Sequence, residues 1–449
     1  MHVTKQLSEA LIGLTFADLP AEVITIAKRI VLDGLAVAVA GAHEDGPQIA
    51  AAHVHELGGT PQSTVIGHGF KTSPVSAAYV NGIAMHVLDY EPMWSPPTHA
   101  TSPTLPTVLA LAEREGRSGR EVVTAFVKAC EVQGRLRLAS HQYEPGQLQY
   151  HPPGVVGVLG SAVAAAHLLN FSVEQLRNAL GIAASRAGGV MANVGTMTKA
   201  THCGWAAAAG LDAALLARRG FTGNTDVIEA PNGYAEVFFG REFEPQALLA
   251  FGRSYRMQEP GFAIKMFPSQ YATHFAITAA LDLRQQIADP AAIQAVHLTT
   301  PLMPYVNRPQ PRTGLDGKFS FQYTAAAALL DGTVTVQSFT DERRFRADME
   351  RILPTISITQ TEDIPGEMEK MWVDLEVRLA GGQSRSVRCT GPRGFWGRSL
   401  TRAEHLVKVR DCLGARLSSK DVERCIELAE GLDELGADGV RELMALVSA

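Results

Sequence analysis

Apolar residues along the first 260 positions recur at intervals of three and four, the spacing of buried helix faces. One such series begins at Val23, and we expect Asp18 to cap this helix with Pro20 in its first turn. Alanine-rich stretches such as Ala162–Ala166 favour closely packed, central helices. The same spacing predicts further helices over residues 75–87, 105–114, 119–138, 155–169, 172–187 and 199–218.

The pattern changes near Pro260. Apolar and polar residues alternate over 372–379, and a second alternating run over 384–389 follows Gly381-Gly382, which predicts a β-hairpin with a short loop. Two weaker strand candidates lie at 293–300 and 356–361. The expected helices of this region are 270–287, 323–330 and 341–352.

Helical spacing returns after Leu400, where Thr401 and Glu404 form a capping-box pattern. The fold class predicted is mainly α plus α+β. A large all-helical domain is built from both chain ends, residues 1–261 and 396–449, and a smaller α+β lid domain, residues 262–395, is inserted in it. We expect the lid to move over a ligand, because Lys265 lies at its edge.

Composition narrows the class of protein. Hydrophobic residues make up 46% and charged residues 19% of the chain, and the net charge is −6, which is typical of a globular protein and argues against nucleic-acid binding. The apolar run 24–41 contains Lys28, Arg29 and Asp33, so it predicts a buried helix and not a membrane span. Five scattered cysteines without C-x-x-C spacing predict reduced thiols, a cytoplasmic location and no iron–sulfur cluster.

Residues able to carry chemistry stand at predicted helix ends and loops. Cations at helix N-termini reinforce backbone N–H groups that favour anions, and a lysine in an apolar region needs a negative partner. A histidine beside a carboxylate can transfer protons near neutral pH. The candidates are His86, Asp89, Glu91, His99, His151, Lys199, His202, Lys265 and Tyr305.

Structural explanations stay open for several of these residues. His151 before two prolines can be a simple cap, Lys199 can be a surface residue, and His202 can pack in the core. His86, His99 and His151 with Asp89 could form a metal site, but H-x-x-x-H and H-E-x-x-H spacings are absent, so we predict no metal. The sequence has no G-x-G-x-x-G, which argues against a dinucleotide cofactor.

A set of collinear segments over roughly residues 5–400 resembles the MmgE/PrpD family. Each segment alone is a weak signal, but together, in the same order as in the family, they are a strong one. The segments are Val80-Asn-Gly82, His86-Val-Leu-Asp89, Thr98-His99, His151-Pro-Pro, Gly195-Thr-Met-Thr-Lys199, Lys265-Met-Phe-Pro, Tyr305-Val-Asn-Arg-Pro and Phe319-Ser-Phe-Gln-Tyr323.

The resemblance implies a helical domain with a smaller lid domain, a homodimer, and no metal or organic cofactor. The family's activities include 2-methylcitrate dehydratase, cis-aconitate decarboxylase and iminodisuccinate epimerase. Its animal cis-aconitate decarboxylases are similar around Asp89, His99, His151, Lys199, Lys265 and Tyr305. This sequence departs from them at two positions, with Met93 in place of a threonine and Gln270 in place of a histidine.

We therefore expect a cofactor-independent lyase that acts on a small di- or tricarboxylic acid through a carbanion next to a carboxylate. In this hypothesis Lys199, Lys265 and His151 hold the substrate carboxylates. His99, oriented by Asp89, is the general acid or base, and Tyr305 is the second proton donor. Met93, Gln270 and His202 complete the substrate site.

Dehydration, as in 2-methylcitrate dehydratase, is the activity we expect first. A cis-aconitate decarboxylase-like activity is the alternative and an epimerase the third possibility, because all three share one carbanion chemistry. A non-catalytic carboxylate-binding relative is the explanation from another class.

Overall fold

Helices form both ends of the chain in the computed structural model, which describes residues 2–143 and 147–448. The N-terminal part contains α1 Val3–Gly13, α2 Ala21–Gly41, α3 Asp45–Leu57, α4 Pro74–Val87, α5 Leu105–Glu115, α6 Gly119–Ala139, α7 Pro152–Leu168, α8 Val173–Ala184, α9 Thr198–Arg218, α10 Tyr234–Phe239 and α11 Pro245–Leu249. A two-stranded antiparallel ribbon, β1 Ser63–Thr64 with β2 Lys71–Thr72, precedes α4. The sequence pattern did not reveal this ribbon.

The main sheet lies in the second half of the chain. Its strands are β3 Ile293–Pro301, β4 Ile356–Thr361, β5 Val373–Leu379 and β6 Ser384–Cys389. Their order is β4-β3-β5-β6, with β3 parallel to β4 and antiparallel to β5, and with β5–β6 forming the predicted hairpin. The helices of this part are α12 Thr273–Arg284, α13 Gly314–Gly317, α14 Phe321–Asp331, α15 Asp341–Arg344 and α16 Ala347–Ile352.

Three helices, α17 Arg402–Gly414, α18 Ser419–Glu430 and α19 Ala437–Leu446, return to the N-terminal part. Helix α17 packs on α2, and α19 packs on α5. Thr401 and Glu404 form the predicted capping box at the start of α17. The predicted fold class, mainly helical with a small α+β part, is confirmed.

Two local predictions were wrong. Asp18 does not cap α2, because it lies in a 3-10 turn, Phe16–Asp18, where its carboxylate accepts from Thr15, and Pro20 is the residue before the helix. The segment 341–352 is two helices instead of one. Arg346 adopts extended backbone angles there and immediately precedes α16, so the helical hydrogen-bond ladder is broken.

Two clusters of buried apolar side chains share the interior. The first extends from α1 to Ile264 and includes the C-terminal helices, and the second combines the sheet with α12 and α14. Val373, Leu375 and Val377 of β5 alternate inward in the second cluster, as their spacing predicts. The division into residues 1–261 with 396–449 and residues 262–395 as independent units stays a prediction.

The crossing of α4 and α9 brings the predicted site residues together. A side chain at Gly82 would lie 2.7 Å from the Cα atom of Gly204, so only glycine allows this approach. The close contact places the last turn of α4, with His86, beside the first turn of α9, with Lys199. Within the described ranges no helix is long and apolar enough to span a membrane.

Candidate active site

A cavity of about 600 Å³, its mouth included, lies between the helical part and the α+β part of the chain. Eight of the nine residues predicted for the site line it: Asp89, Met93, His99, His151, Lys199, Lys265, Gln270 and Tyr305. The ninth, His202, lies behind His151 and is not part of the lining.

Asp89 follows the end of α4 in a left-handed backbone conformation, with φ of 51°. A non-glycine residue adopts this conformation at some cost, although aspartate tolerates it better than most residues. Lys265 holds the residue at two points, because its ammonium group donates to the Asp89 carbonyl oxygen at 2.9 Å and also to Asp89 Oδ1. The turn therefore aims the Asp89 carboxylate into the cavity floor.

Asp89 forms ion pairs with two lysines from different parts of the fold. Lys199 Nζ donates to Asp89 Oδ2 at 2.8 Å, and Lys265 pairs with Oδ1. Burial opposes the charge on Asp89, but the ammonium groups of Lys199 and Lys265 hold its pKa well below the usual range. One carboxylate between two ammonium groups leaves a net positive charge at the cavity floor, which suits an anionic ligand.

The two lysines differ in what remains for a ligand. Lys265 Nζ uses its three N–H groups on the Asp89 carbonyl, the Asp89 carboxylate and the Ser269 carbonyl, the last at 3.1 Å. Lys199 Nζ hydrogen-bonds to Asp89 alone within the part of the chain described. Lys199 thus keeps N–H groups that no described residue accepts, whereas Lys265 uses all of its N–H groups within the protein.

His99 has a different carboxylate partner from the one we expected. Its Nδ1 lies 2.9 Å from Glu91 Oε1, whereas its Nε2 is 3.8 Å from Asp89 Oδ1, beyond hydrogen-bond distance. The expected contact of Asp89 with His99 is thus an ion pair without a hydrogen bond, because the Asp89 oxygens accept from the two lysines instead. Burial lowers the pKa of His99 to about 4, although the Glu91 carboxylate acts in the opposite direction.

Glu91, a candidate from the sequence to which we assigned no role in the site, is the centre of a buried polar cluster. Its Oε1 lies 2.6 Å from His86 Nδ1 and accepts from Ser102 Oγ at 2.8 Å. His86 is fully buried, and this burial, together with the Lys199 charge, lowers its pKa well below the usual value. Glu91 therefore holds the His86 ring by a hydrogen bond and lies within ion-pair distance of the His99 ring.

His151 stands immediately before α7 and faces His202 of α9. The two Nδ1 atoms are 3.1 Å apart, so one ring donates and the other accepts. Burial and the Lys199 ammonium group lower the pKa of His151 well below its usual value. An uncharged His151 keeps one ring N–H group, and His202 is joined to the cavity lining through His151.

Tyr305 and Gln270 form the wall of the cavity contributed by the α+β part. Tyr305 lies in a 3-10 turn, Pro304–Val306, and Arg308 Nε donates to its carbonyl oxygen at 2.9 Å. Gln270 Nε2 donates to the Tyr305 hydroxyl at 2.9 Å. Burial raises the pKa of Tyr305, with the Asp89 charge adding to the effect, so the phenol keeps its proton.

Met93 contributes to the apolar part of the cavity lining. Its backbone exchanges two hydrogen bonds of 2.8 Å with Ala263, which joins the helical part to the α+β part beside the cavity. Its side chain is buried, and Met191, Met368 and Phe319 line the same cavity. The site therefore combines a polar floor with an apolar wall.

The three histidines of the site could in geometric terms hold a metal ion, since His86, His99 and His151 each offer a ring nitrogen within 4.8 Å of the others. The surrounding charge opposes this, because the Lys199 ammonium group lowers the pKa of His86 and His151 and would repel any other cation as it repels a proton. The predicted absence of a metal or organic cofactor stays a prediction that metal analysis can test.

Comparison with known proteins matches the chain over nearly its whole length. The MmgE/PrpD N-terminal domain matches residues 5–246, and the MmgE/PrpD C-terminal domain matches residues 267–434. The cis-aconitate decarboxylase of Mus musculus is 32% identical over 446 residues, which cover 96% of this chain and 91% of the mouse protein.

Two further relatives agree with this match. The cis-aconitate decarboxylase of Homo sapiens is 33% identical over 445 residues, 96% of this chain and 92% of the human protein. The cis-aconitate decarboxylase-like protein oryM of Aspergillus oryzae is 27% identical over 477 aligned positions, covering 100% of this chain and 97% of the fungal protein. With both family domains matched in order and the polar cavity formed by the motif residues, the chain belongs to the MmgE/PrpD family.

Proposed function

We propose that this MmgE/PrpD lyase removes a proton from the carbon next to a carboxylate of a small di- or tricarboxylic acid and then expels a hydroxyl group as water. The observation that carries the proposal is an acid–base pair in one cavity. His99 is an uncharged imidazole next to Glu91, and Tyr305 is a phenol that keeps its proton. Such a pair can take one proton and deliver another in the same turnover.

The substrate class follows from the charge of the cavity floor. Asp89, Lys199 and Lys265 together carry one net positive charge, and Lys199 has N–H groups left for a ligand. His151 lies on the same cavity and can donate a further hydrogen bond. A small acid with two or three carboxylates fits this arrangement, because each carboxylate gains a charge-assisted or neutral hydrogen bond.

In the proposed reaction His99 is the base, Lys199 stabilises the intermediate and Tyr305 is the acid. His99 Nε2, the ring nitrogen not beside Glu91, takes the proton from the carbon, and the electron pair of that C–H bond moves onto the adjacent carboxylate. Lys199 stabilises the resulting dianion. The pair then forms the C=C bond as the C–O bond breaks, and Tyr305 gives its proton to the leaving hydroxyl, so that water departs. Proton return from His99 to Tyr305 through solvent restores the site.

Decarboxylation is the second candidate, and the names of the mouse and human relatives favour it. The apolar wall with Met93, Met191 and Phe319 would remove water from a leaving carboxylate. Tyr305 would then protonate the carbon that loses carbon dioxide. Epimerisation would use the same carbanion with proton return to the opposite face.

Proton NMR in D₂O on protein treated with EDTA tests the proposal. Citrate, 2-methylcitrate, cis-aconitate and an iminodisuccinate-type acid are incubated in turn with the parent, with His99→Gln and with His53→Gln, an exposed histidine of α3 as matched control. An unsaturated product with release of water supports dehydration, and release of carbon dioxide supports the second candidate. Deuterium at the carbon without net change supports epimerisation.

Three results would count against the proposal or one of its parts. Absence of product and of deuterium in every tube, with thermal shifts on adding the same acids, would favour the non-catalytic carboxylate-binding alternative. Equal activity of parent and His99→Gln would remove His99 from the mechanism. Loss of activity on EDTA treatment, restored by one divalent metal, would overturn the cofactor-independent part.

The proposal includes a cytoplasmic location, a homodimer and a mobile lid. Five buried free cysteines support a reducing compartment, and the resemblance to the family supports the dimer. Light scattering at micromolar protein concentration tests the assembly, and a monomer would contradict it. Crystals with and without a tricarboxylate test the lid, and an unchanged angle between the two parts would rule it out.

A further inference from the structure

The hydrogen bonds of Gln270 fix which end of its side-chain amide faces Tyr305. Gln270 Oε1 accepts from the backbone N–H of Ala272 at 2.7 Å, and a backbone amide can only donate. The carbonyl end of the side chain is therefore held at the start of α12. The NH₂ end must then face the Tyr305 hydroxyl, 2.9 Å away.

This arrangement also fixes the role of the Tyr305 hydroxyl. Because Gln270 donates to the phenolic oxygen, the hydroxyl hydrogen must point elsewhere. Among the described residues no protein acceptor lies within hydrogen-bond distance of Tyr305 Oη, and the side chain lines the cavity. The open direction for the hydrogen is the cavity itself.

We propose that Gln270 is a positioning residue that turns the Tyr305 hydroxyl into a donor directed at the substrate. The inference rests on the proposed function, in which Tyr305 delivers a proton to the leaving group. A side chain with only acceptor atoms at position 270 would capture the hydroxyl hydrogen instead. The nature of residue 270 therefore decides whether Tyr305 donates to substrate or to protein.

Gln270→Glu is the sharpest variant, because it keeps the shape of the side chain and an oxygen for the Ala272 N–H group. At pH 8 the introduced carboxylate accepts from Tyr305, and we expect kcat to fall about 10–100-fold, part of the way to the Tyr305→Phe value. As the pH falls and this carboxylate gains a proton, the resulting carboxyl group can donate again. The ratio of variant to parent kcat should then rise, which a purely structural defect would not produce.

The double variant Gln270→Glu/Tyr305→Phe separates positioning from packing. If Gln270 acts through the hydroxyl, the double variant has the kcat of Tyr305→Phe alone. Gln270→Leu, which loses both hydrogen bonds, controls for the loss of the Ala272 contact. Losses that multiply in the double variant, or a pH-independent ratio for Gln270→Glu, would overturn the proposal.

The role of Gln270 can be tested even if the proposed function is wrong. If the parent converts none of the acids, binding of tricarballylate, an unreactive tricarboxylate, is measured by calorimetry on the same variants. Gln270→Glu is then expected to weaken binding at least as much as Tyr305→Phe does, because its carboxylate both captures the hydroxyl hydrogen and repels the anionic ligand. A crystal structure of the ligand-free parent is a test independent of both. An inverted Gln270 amide or a protein acceptor within 3.5 Å of Tyr305 Oη would refute the inference.

Discussion

Asp89 Oδ1 lies 3.8 Å from His99 Nε2, whereas Glu91 Oε1 lies 2.9 Å from His99 Nδ1, so Glu91 is the carboxylate nearer to this imidazole. The same oxygen contacts His86 and accepts from Ser102, so Glu91 is held on three sides. His99 consequently presents Nε2 to the cavity. The two carboxylates of the motif have separate tasks, since Asp89 pairs with lysines and Glu91 fixes histidines.

Glu91→Gln should lower kcat/KM about 100-fold for any acid that the parent converts. Burial is the main reason that the pKa of His99 is low, and the Glu91 charge opposes it, so removing that charge lowers the pKa further. His99 becomes a weaker base, and the acid limb of the kcat/KM profile moves to lower pH. Ser102→Ala keeps the carboxylate and should cost less than about 10-fold. Equal effects of the two variants would contradict the assignment.

Much of this site could be predicted from the sequence, because its residue types cluster at helix ends. The spacing of apolar residues gave α4, α7 and α9, and with them the neighbourhood of His151 and Lys199. The partner of His99 could not be predicted. Asp89 and Glu91 are two residues apart, and which of them faces His99 depends on the left-handed backbone of Asp89, which nothing in the local pattern specifies.

The same limit applies to the errors in the fold. The series 341–352 has helical spacing throughout, yet Arg346 takes extended angles and a new helix begins after it. Asp18 has the chemistry of a helix cap but bonds with Thr15 in a preceding turn. For Asp18 a second local preference competes with the first, because a capping box with Thr15 uses the same carboxylate.

The charge state of His99 can be observed directly. Burial lowers its pKa to about 4, so the free protein should hold an uncharged imidazole from pH 8 down to about pH 5. Below pH 4 the ring takes a proton, and a base-dependent rate falls about tenfold per pH unit. Nitrogen-15 NMR of histidine-labelled protein, with His99→Gln to assign the signal, measures this. A ring protonated at pH 6 would contradict the prediction.

Lys265→Met should destabilise the fold more than Lys199→Met. Lys265 is fully buried and bonds to two backbone carbonyls as well as to the Asp89 carboxylate, and removing one partner of a buried pair costs about 3–5 kcal/mol. Lys199→Met should instead weaken tricarballylate binding, because its free N–H groups face the cavity. Urea unfolding and calorimetry measure the two effects. The reverse ranking in either experiment would contradict the assignment of Lys265 to stability and of Lys199 to ligand binding.

The carboxylate of Asp33 in α2 contacts two residues of the C-terminal helix α17, since His405 Nε2 and Lys408 Nζ each lie 2.9 Å from it. Lys408 also donates to the Tyr90 carbonyl at 2.8 Å. These contacts join α17 to the loop that carries Asp89 and Glu91. Burial raises the pKa of Asp33, but Lys408 and His405 outweigh it and hold the pKa below its usual value. A carboxyl group with a lowered folded-state pKa stabilises the fold above its unfolded pKa of about 3.9 and loses this contribution as the pH falls further.

Asp33→Asn should therefore lower the free energy of unfolding at pH 7 by about 3–5 kcal/mol and reduce its dependence on pH below 4. Urea unfolding of the parent and the variant between pH 7 and pH 3 measures both quantities. The exposed pair of Arg410 and Glu423 provides the control, because Glu423→Gln should change little. A difference between parent and Asp33→Asn that is constant down to pH 3 would contradict the linkage.

Met93 should decide how well the site accepts an apolar substituent on the acid. Its buried side chain forms part of the apolar wall with Met191, Met368 and Phe319. Met93→Thr replaces this contact with a shorter side chain and a hydroxyl, so kcat/KM for 2-methylcitrate should fall about 10-fold relative to that for citrate. Met93→Leu keeps an apolar side chain of similar volume and should preserve the ratio. An equal ratio in the two variants would show that the substrate does not reach this wall.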